Sequence, residues 1–118
     1  MYHLIFVCKY RKHILTDLEN IIKQKFYDIS NDSDFKIIEM EVDKDHIHLL
    51  LSSNPKISIL QIVRRLKQLS TSYLWHNYSD YLSKYFWKSK TFWSDGYFVC
   101  SIGNVSKDII KKYIENQG

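Results

Sequence analysis

Residues 35–52 read Phe-Lys-Ile-Ile-Glu-Met-Glu-Val-Asp-Lys-Asp-His-Ile-His-Leu-Leu-Leu-Ser, and this stretch decides the fold. From Phe35 to Val42 the side chains alternate, with Phe35, Ile37, Glu39 and Glu41 opposite Lys36, Ile38, Met40 and Val42. That is the period of a strand. Asp43-Lys44-Asp45 supplies a short turn, and His46 to Ser52 supplies a second strand, so the segment predicts a hairpin.

Working outward, Tyr2 to Cys8 is apolar and rich in strand formers. Thr16-Asp17-Leu18-Glu19 has the form of a capping box, and Leu18, Ile21, Ile22, Phe26 and Ile29 follow it at helical spacing. The polar run Ser30 to Asp34 ends that helix. On the other side of the hairpin, Ser58 and Gln61 repeat the capping pattern. The helix they open has a core face of Ile59, Ile62, Val63, Leu66, Leu69 and Tyr73, with Arg64, Arg65 and Lys67 on or beside the outer face. Trp75 to Trp93 reads as a short helix and a loop. Gly96 to Ile102 is a further strand, Gly103-Asn104 a turn, and Ser106 the N-cap of a last helix reaching about Gln117. The order β-α-β-β-α-β-α predicts an α+β, ferredoxin-like split βαβ sandwich with an antiparallel sheet and an extra C-terminal helix over about 106–117. A fold of this kind hosts many functions and selects none.

A chain of 118 residues has room for one domain, spanning 1–118, and three Gly with one Pro leave no linker. Apolar runs such as Leu4 to Cys8 and Ile47 to Leu51 are far short of the roughly 20 residues a membrane helix needs, so no membrane role is expected. The N-terminal residues lack the pattern of a signal peptide. Cys8 and Cys100 lie in apolar, strand-like runs and read as reduced thiols of a cytoplasmic protein. The formal charge of +4 is unevenly spread: +3 over residues 1–14, −5 over 15–55 and +6 over 56–118. A basic second half suits a polyanionic partner, although an ordinary solvated surface gives the same count.

His46-Ile47-His48 is the most informative tripeptide. Alternate side chains of a strand share a face, so both imidazoles project together, about 6.6 Å apart at the backbone, while Ile47 points into the core. Neutral imidazoles so placed can converge on one divalent ion. A His-x-His is also common surface decoration, but here the leucine run Leu49 to Leu51 anchors it in the sheet. In the last helix Tyr113 and Gln117 are four residues apart and share a face. A phenol can attack a phosphodiester polarised by a metal ion, and a glutamine carbonyl can serve as an oxygen ligand. Tyr113 is equally well placed to be a rim aromatic, and only the histidine strand gives it a chemical context.

Together these residues resemble the single-tyrosine HUH (histidine, hydrophobic residue, histidine) transposases of small bacterial and archaeal insertion sequences, which include REP-associated tyrosine transposase relatives. The likeness runs through nearly the whole chain. Residues 2–12, Tyr-His-Leu-Ile-Phe-Val-Cys-Lys-Tyr-Arg-Lys, are similar to the family's opening strand and basic exit. Asp45-His46-Ile47-His48-Leu49-Leu50 matches its metal motif, and residues 92–99, Phe-Trp-Ser-Asp-Gly-Tyr-Phe-Val, its entry to the last strand. Ile102-Gly103-Asn104-Val105 resembles the hinge, and Tyr113-Ile114-Glu115-Asn116-Gln117 the tyrosine-to-glutamine motif. The chain ends one residue after Gln117, where the family's catalytic helix often continues.

The resemblance implies a DNA transposase, with Tyr113 as nucleophile and His46, His48 and Gln117 as ligands of a divalent cation, Mg²⁺ or Mn²⁺. It implies cleavage and rejoining of single-stranded DNA at insertion-sequence ends through a 5′-phosphotyrosine intermediate. It further implies a homodimer with Tyr113 acting in cis or in trans, and partner DNA carrying hairpins near the element ends. Lys9, Arg11, Lys12, Arg64, Arg65 and Lys67 are the basic candidates for that DNA. The aromatics of Tyr85-Phe86-Trp87-Lys88 and Lys90-Thr91-Phe92-Trp93 could stack on bases, although core packing accounts for them as well. His3, His13 and His76 have no assignment. Three other readings stand beside this one: a non-catalytic single-stranded nucleic-acid-binding module, a domesticated relative acting on chromosomal hairpins, and a bare metallophosphodiesterase.

Overall fold

The computed structural model describes residues 1–101, 112 and 114–116. Strand β1 (Tyr2–Val7) leads through a short 3-10 turn at Lys9–Arg11 to helix α1 (Glu19–Asn31). The hairpin β2 (Phe35–Val42) and β3 (His46–Ser53) follows, then helix α2 (Ile59–Leu82) and strand β4 (Phe98–Ser101). The four strands form one antiparallel sheet in the order β2-β3-β1-β4, as the split βαβ arrangement requires. The expected last helix, with Gly103-Asn104, Ser106, Tyr113 and Gln117, falls largely outside the described residues.

One face of the sheet carries Leu4, Phe6, Ile47, Leu49 and Leu51, all fully buried against α1 and α2. Each such side chain contributes on the order of 1.5–3 kcal/mol by leaving water. Phe6 meets Phe26 of α1 edge-on at 6.2 Å and Trp93 at 5.6 Å, which ties strand, helix and the later loop into one core. The opposite face carries His3, Ile5, Val7, His46, His48 and Leu50. Ile5 and Val7 are also fully buried, so this second face is not a bare polar surface.

Four local expectations need correction. Helix α1 begins at Glu19 with Leu18 as N-cap and no side-chain cap bond, so Thr16 does not close a capping box. In β2 the register slips between Ile37 and Glu39. Phe35 and Ile37 face the core before this bulge and Met40 does so after it, while Ile38 is left exposed. The simple alternation read from sequence therefore breaks at Ile38. Helix α2 does have the capping box at Ser58 and Gln61, yet it runs on to Leu82, well past Tyr73, with a break in helical geometry at Tyr78. Its buried face includes Ser70, Leu74 and Leu82, whereas Leu69 is exposed. Ser70 is tolerated there because its hydroxyl donates to the Leu66 carbonyl and accepts from Trp93 Nε1 at 3.0 Å.

Candidate functional site

The turn before β3 is fastened from three sides. Asp43 N–H donates to the His46 carbonyl at 3.0 Å, Leu15 N–H to the Lys44 carbonyl at 3.1 Å, and Cys8 N–H to the Asp45 carbonyl at 2.8 Å. These bonds set where β3 starts and hence which residues face away from the core. With Ile47 fully buried, His46 and His48 share the opposite face, as the alternation predicts. His46 lies across from Val7 of β1, and His48 lies between Ile5 of β1 and Glu41 of β2.

Each imidazole has a partner. His46 Nδ1 is 3.0 Å from Asp45 Oδ1, and the other carboxylate oxygen of Asp45 accepts from Arg11 Nε at 3.2 Å. Asp45 is only 6% exposed. Burial by itself raises its pKa, but hydrogen bonds from His46 and Arg11, with their charges, outweigh that and hold the carboxyl below its ordinary range. A carboxylate on Nδ1 fixes the ring orientation and leaves Nε2 of His46 with its lone pair outward, the outer-sphere arrangement common around metal-binding histidines. His48 Nε2 is 2.8 Å from Nδ1 of His3, two residues inside β1 and diagonal to it. Burial, reinforced by His3 and His46 and opposed by Glu41, pulls the His48 pKa down, which keeps this ring neutral and fit to donate a lone pair. Among the described residues no three His, Cys, Asp or Glu side chains are already gathered as a metal cluster. The two-imidazole donor set with one oriented ring nonetheless fits a divalent ion that takes further ligands from elsewhere.

Arg11 reaches Asp45 because the chain turns sharply after β1. Tyr10 and Arg11 both adopt left-handed backbone angles, φ 59° and 51°, which cost non-glycine residues on the order of 1–2 kcal/mol each. The turn is held by Arg11 N–H to the Cys8 carbonyl at 2.9 Å and Lys9 N–H to the Phe92 carbonyl at 2.8 Å. Cys8 is fully buried there, and burial, with Asp45's charge adding to it, pushes its thiol well above the ordinary range. Cys8 and Cys100 are not bridged to each other.

The basic candidates do not converge on one patch. Lys9 pairs with Asp95 at 3.5 Å and Arg11 with Asp45, both near the histidine end of β1 where Lys12 follows. Arg64 and Arg65 lie on α2, on the opposite side of the sheet, along a groove of about 470 Å³ that also includes Lys56 and Gln61. Lys67 is not an outer-face residue. Its ammonium is half-buried and donates to the carbonyls of Ser94 at 2.7 Å and Gly96 at 2.8 Å. Among the aromatics of residues 85–93, Phe86, Phe92 and Trp93 are core residues, and Trp87 is strongly exposed, at 75%. Sequence reasoning gave no contact to Asp45 or His3, which the structure places against His46 and His48. The Asp-His pair at the turn was visible, but its support by Arg11 depends on two left-handed residues that no local pattern announces.

A family model described as "Transposase IS200 like" matches residues 1–117 of this chain. The chain belongs to that family. Among curated relatives, this IS200-like transposase is 33% identical to the ISDra2 transposase TnpA of Deinococcus radiodurans, over 98% of this chain and 82% of that one. It is 31% identical to the transposase for insertion sequence element IS200 of Salmonella typhimurium, over 98% of this chain and 75% of that protein. A crystal structure of a Deinococcus radiodurans R1 protein assigned as a transposase superposes with a TM-score of 0.87 at 28% identity, covering 98% of this chain and 88% of the other. A REP-associated tyrosine transposase bound to a REP hairpin shares the fold, with a TM-score of 0.62 at 13% identity over 97% of this chain and 61% of that one. The IS200-like transposase thus has the α+β fold read from its sequence. Among its described residues no helix is long and apolar enough to cross a membrane.

Proposed function

We propose that this transposase cleaves and rejoins single-stranded DNA through Tyr113, with His46, His48 and Gln117 holding a divalent cation, Mg²⁺ or Mn²⁺. The observation that carries the reading is the orientation of the histidine pair: one ring set by the buried Asp45, and both rings on the same side of β3. A cation held there supplies Lewis-acid polarisation of the scissile phosphate. The phenol oxygen of Tyr113 attacks phosphorus and gives up its proton. The bond from phosphorus to the 3′-oxygen breaks, and that oxygen takes up a proton, leaving a 5′-phosphotyrosine link and a free 3′-hydroxyl. The phosphodiester energy is kept in the protein–DNA bond, so a second 3′-hydroxyl reverses the step and joins new ends without a nucleotide cofactor.

The substrate in this reading is single-stranded DNA with hairpins near the element ends, engaged by Lys9, Lys12, Arg64 and Arg65. Arg11 and Lys67 contribute more by holding Asp45 and the 94–96 segment than by reaching outward. The protein acts as a homodimer, with Tyr113 acting in cis or in trans.

The test is a denaturing gel of the protein with single-stranded oligonucleotides from the flanks of its gene, with and without Mg²⁺ or Mn²⁺. A metal-dependent shifted band, absent for Tyr113→Phe and His46→Ala, is the expected result. DNA binding with no adduct under either metal would replace this reading with a non-catalytic binding module. Mixed dimers of Tyr113→Phe with His46→Ala then decide geometry: adduct returns if Tyr113 acts in trans and stays absent if it acts in cis.

A further inference from the structure

A cavity of about 220 Å³ opens between the turn after β1 and the segment that follows α2. Tyr10 and Lys12 line it from the turn, and Tyr85, Phe86, Trp87 and Lys88 from the later segment. The walls are held in place: Lys9 N–H donates to the Phe92 carbonyl at 2.8 Å, and Trp75 Nε1 to the Thr91 carbonyl at 2.9 Å. Phe86 belongs to the core, but Tyr10 and Trp87 are exposed. Tyr10 keeps a left-handed backbone angle although its ring does not fill the interior. Strain kept at an exposed aromatic points to a task outside the core.

The charge around the cavity narrows the occupant. Its lining includes two lysines and, among the described residues, no acid. Lys9 Nζ stands 5.8 Å from the Tyr10 ring centre and Lys88 Nζ 5.0 Å from that of Trp87, so each exposed ring has an ammonium over it. Aromatic rings set among cations suit a flat base on an anionic backbone, and not an apolar peptide or an acyl chain. The volume takes one nucleobase and falls short of a base pair, and a paired base within a duplex has its faces covered by its neighbours. The groove at Arg64 and Arg65 differs: Asp34 shares its lining and, among the described residues, no aromatic does, so it offers contacts to phosphate and none for stacking. Tyr10 and Lys12 flank Arg11, which holds Asp45 against His46, so an occupant lies beside the histidine end of the sheet.

We propose that this cavity is a stacking subsite for one unpaired base of the single-stranded DNA, held against the Tyr10 and Trp87 rings, with Lys12 and Lys88 on the neighbouring phosphates. The inference rests on the single-stranded DNA reading above and goes beyond it by assigning where an unpaired nucleotide is held. Stacking of this kind tolerates any base, so the subsite selects strandedness and not sequence.

The test uses the full chain without divalent metal, so that binding is read apart from cleavage. Fluorescence anisotropy measures affinity for a single-stranded oligonucleotide from the flank of the gene, and for a series in which each nucleotide in turn lacks its base. Wild type should lose roughly tenfold or more at one unpaired position, the scale of one stacked base. Trp87→Ala and Tyr10→Gly should each lose a comparable factor on the intact oligonucleotide and little further at that position. Trp87→Phe, which keeps a ring, should recover most of the affinity. Trp87 is exposed and Tyr10→Gly relieves the backbone angle, so both variants should fold. A flat scan in wild type, variants that bind as well as wild type, or variants that stay sensitive at the same position would overturn the subsite. A flat scan with an altered oligomeric state of Trp87→Ala would assign the cavity to contact between copies instead. The adduct assay above separates the two levels. If wild type binds the intact oligonucleotide and forms the adduct while the scan is flat, only the subsite falls. If wild type does not bind single-stranded DNA at all, the reading beneath it falls too.

Discussion

Arg11 Nε and Asp45 Oδ2 meet at 3.2 Å, joining the turn after β1 to the turn before β3 and passing the support on to His46 through the other carboxylate oxygen. An arginine read from sequence as a DNA contact is thereby tied to the histidine strand. Arg11→Ala should leave the fold intact but weaken Mn²⁺ binding by roughly 10-fold, in the range for lost outer-sphere partners. Equilibrium titration of the metal checks this. Equal affinity would show that His46 keeps its orientation without Arg11.

The same contact sets an acid limit. The Asp45 carboxyl is held below its ordinary range, so the folded state binds this proton less tightly than the unfolded chain does. Its stabilising contribution is full above the unfolded value near 3.9 and disappears as pH falls through the lower folded value. The stability difference between wild type and Asp45→Asn should therefore persist down to about pH 4 and shrink below it. Urea midpoints from pH 7 to 3 give the curve, and Arg11→Ala should shift the loss to higher pH.

Lys67 offers the opposite sign. Burial, opposed by Asp95 and aided by Lys9, draws its ammonium down to about 8. The unfolded chain then holds the proton more tightly, and wild type should gain stability relative to Lys67→Met as pH rises from 8 toward the ordinary lysine value. Denaturant midpoints at pH 7, 8.5 and 10 measure it. A flat difference would mean that the two carbonyl hydrogen bonds at 2.7 and 2.8 Å fully offset the burial.

Tyr10, 58% exposed with φ 59°, bears a backbone angle that glycine adopts without strain. Tyr10→Gly should raise stability by up to about 1 kcal/mol, since strain relief of 1–2 kcal/mol exceeds the added chain entropy of the unfolded state. A fall in thermal midpoint would show that the ring's packing matters more than the angle.

Ser58→Ala should cost about 1 kcal/mol by removing the bond its hydroxyl accepts from Gln61 N–H at 3.1 Å. Thr16→Ala should cost much less, because Thr16 caps nothing by its side chain. Urea denaturation of both variants compares the two motifs directly.

Much of this was legible in the residue pattern. Strand periodicity found the hairpin, the buried Ile47 and the shared face of His46 and His48. The capping residues at Ser58 and Gln61 marked α2 correctly because they bond to each other within one turn. The identical-looking pattern at Thr16 and Glu19 failed because Leu15 and Leu18 are drawn into the core, so the helix starts later. The extent of α2 was hidden because Ser70 and Trp75 disguise its buried stripe, and Ser70 is accommodated through the Leu66 carbonyl and through Trp93, 23 residues on. His3 was unreadable for a similar reason: its neighbour His48 lies 45 residues away and is reached only by strand pairing.

The slip at Ile38 has a consequence of its own. Had β2 kept strict alternation, Glu39 and Glu41 would continue the side of Phe35 and Ile37 and lie beneath the helices. One supernumerary residue turns them over, so that they stand beside the imidazoles and Met40 takes the interior place. The electrostatic character of that face is thus governed by where the pairing slips as much as by residue type. Removing Ile38 would close the bulge and leave Glu39 and Glu41 on that surface, opposite Leu50 and His48, with regular pairing throughout β2.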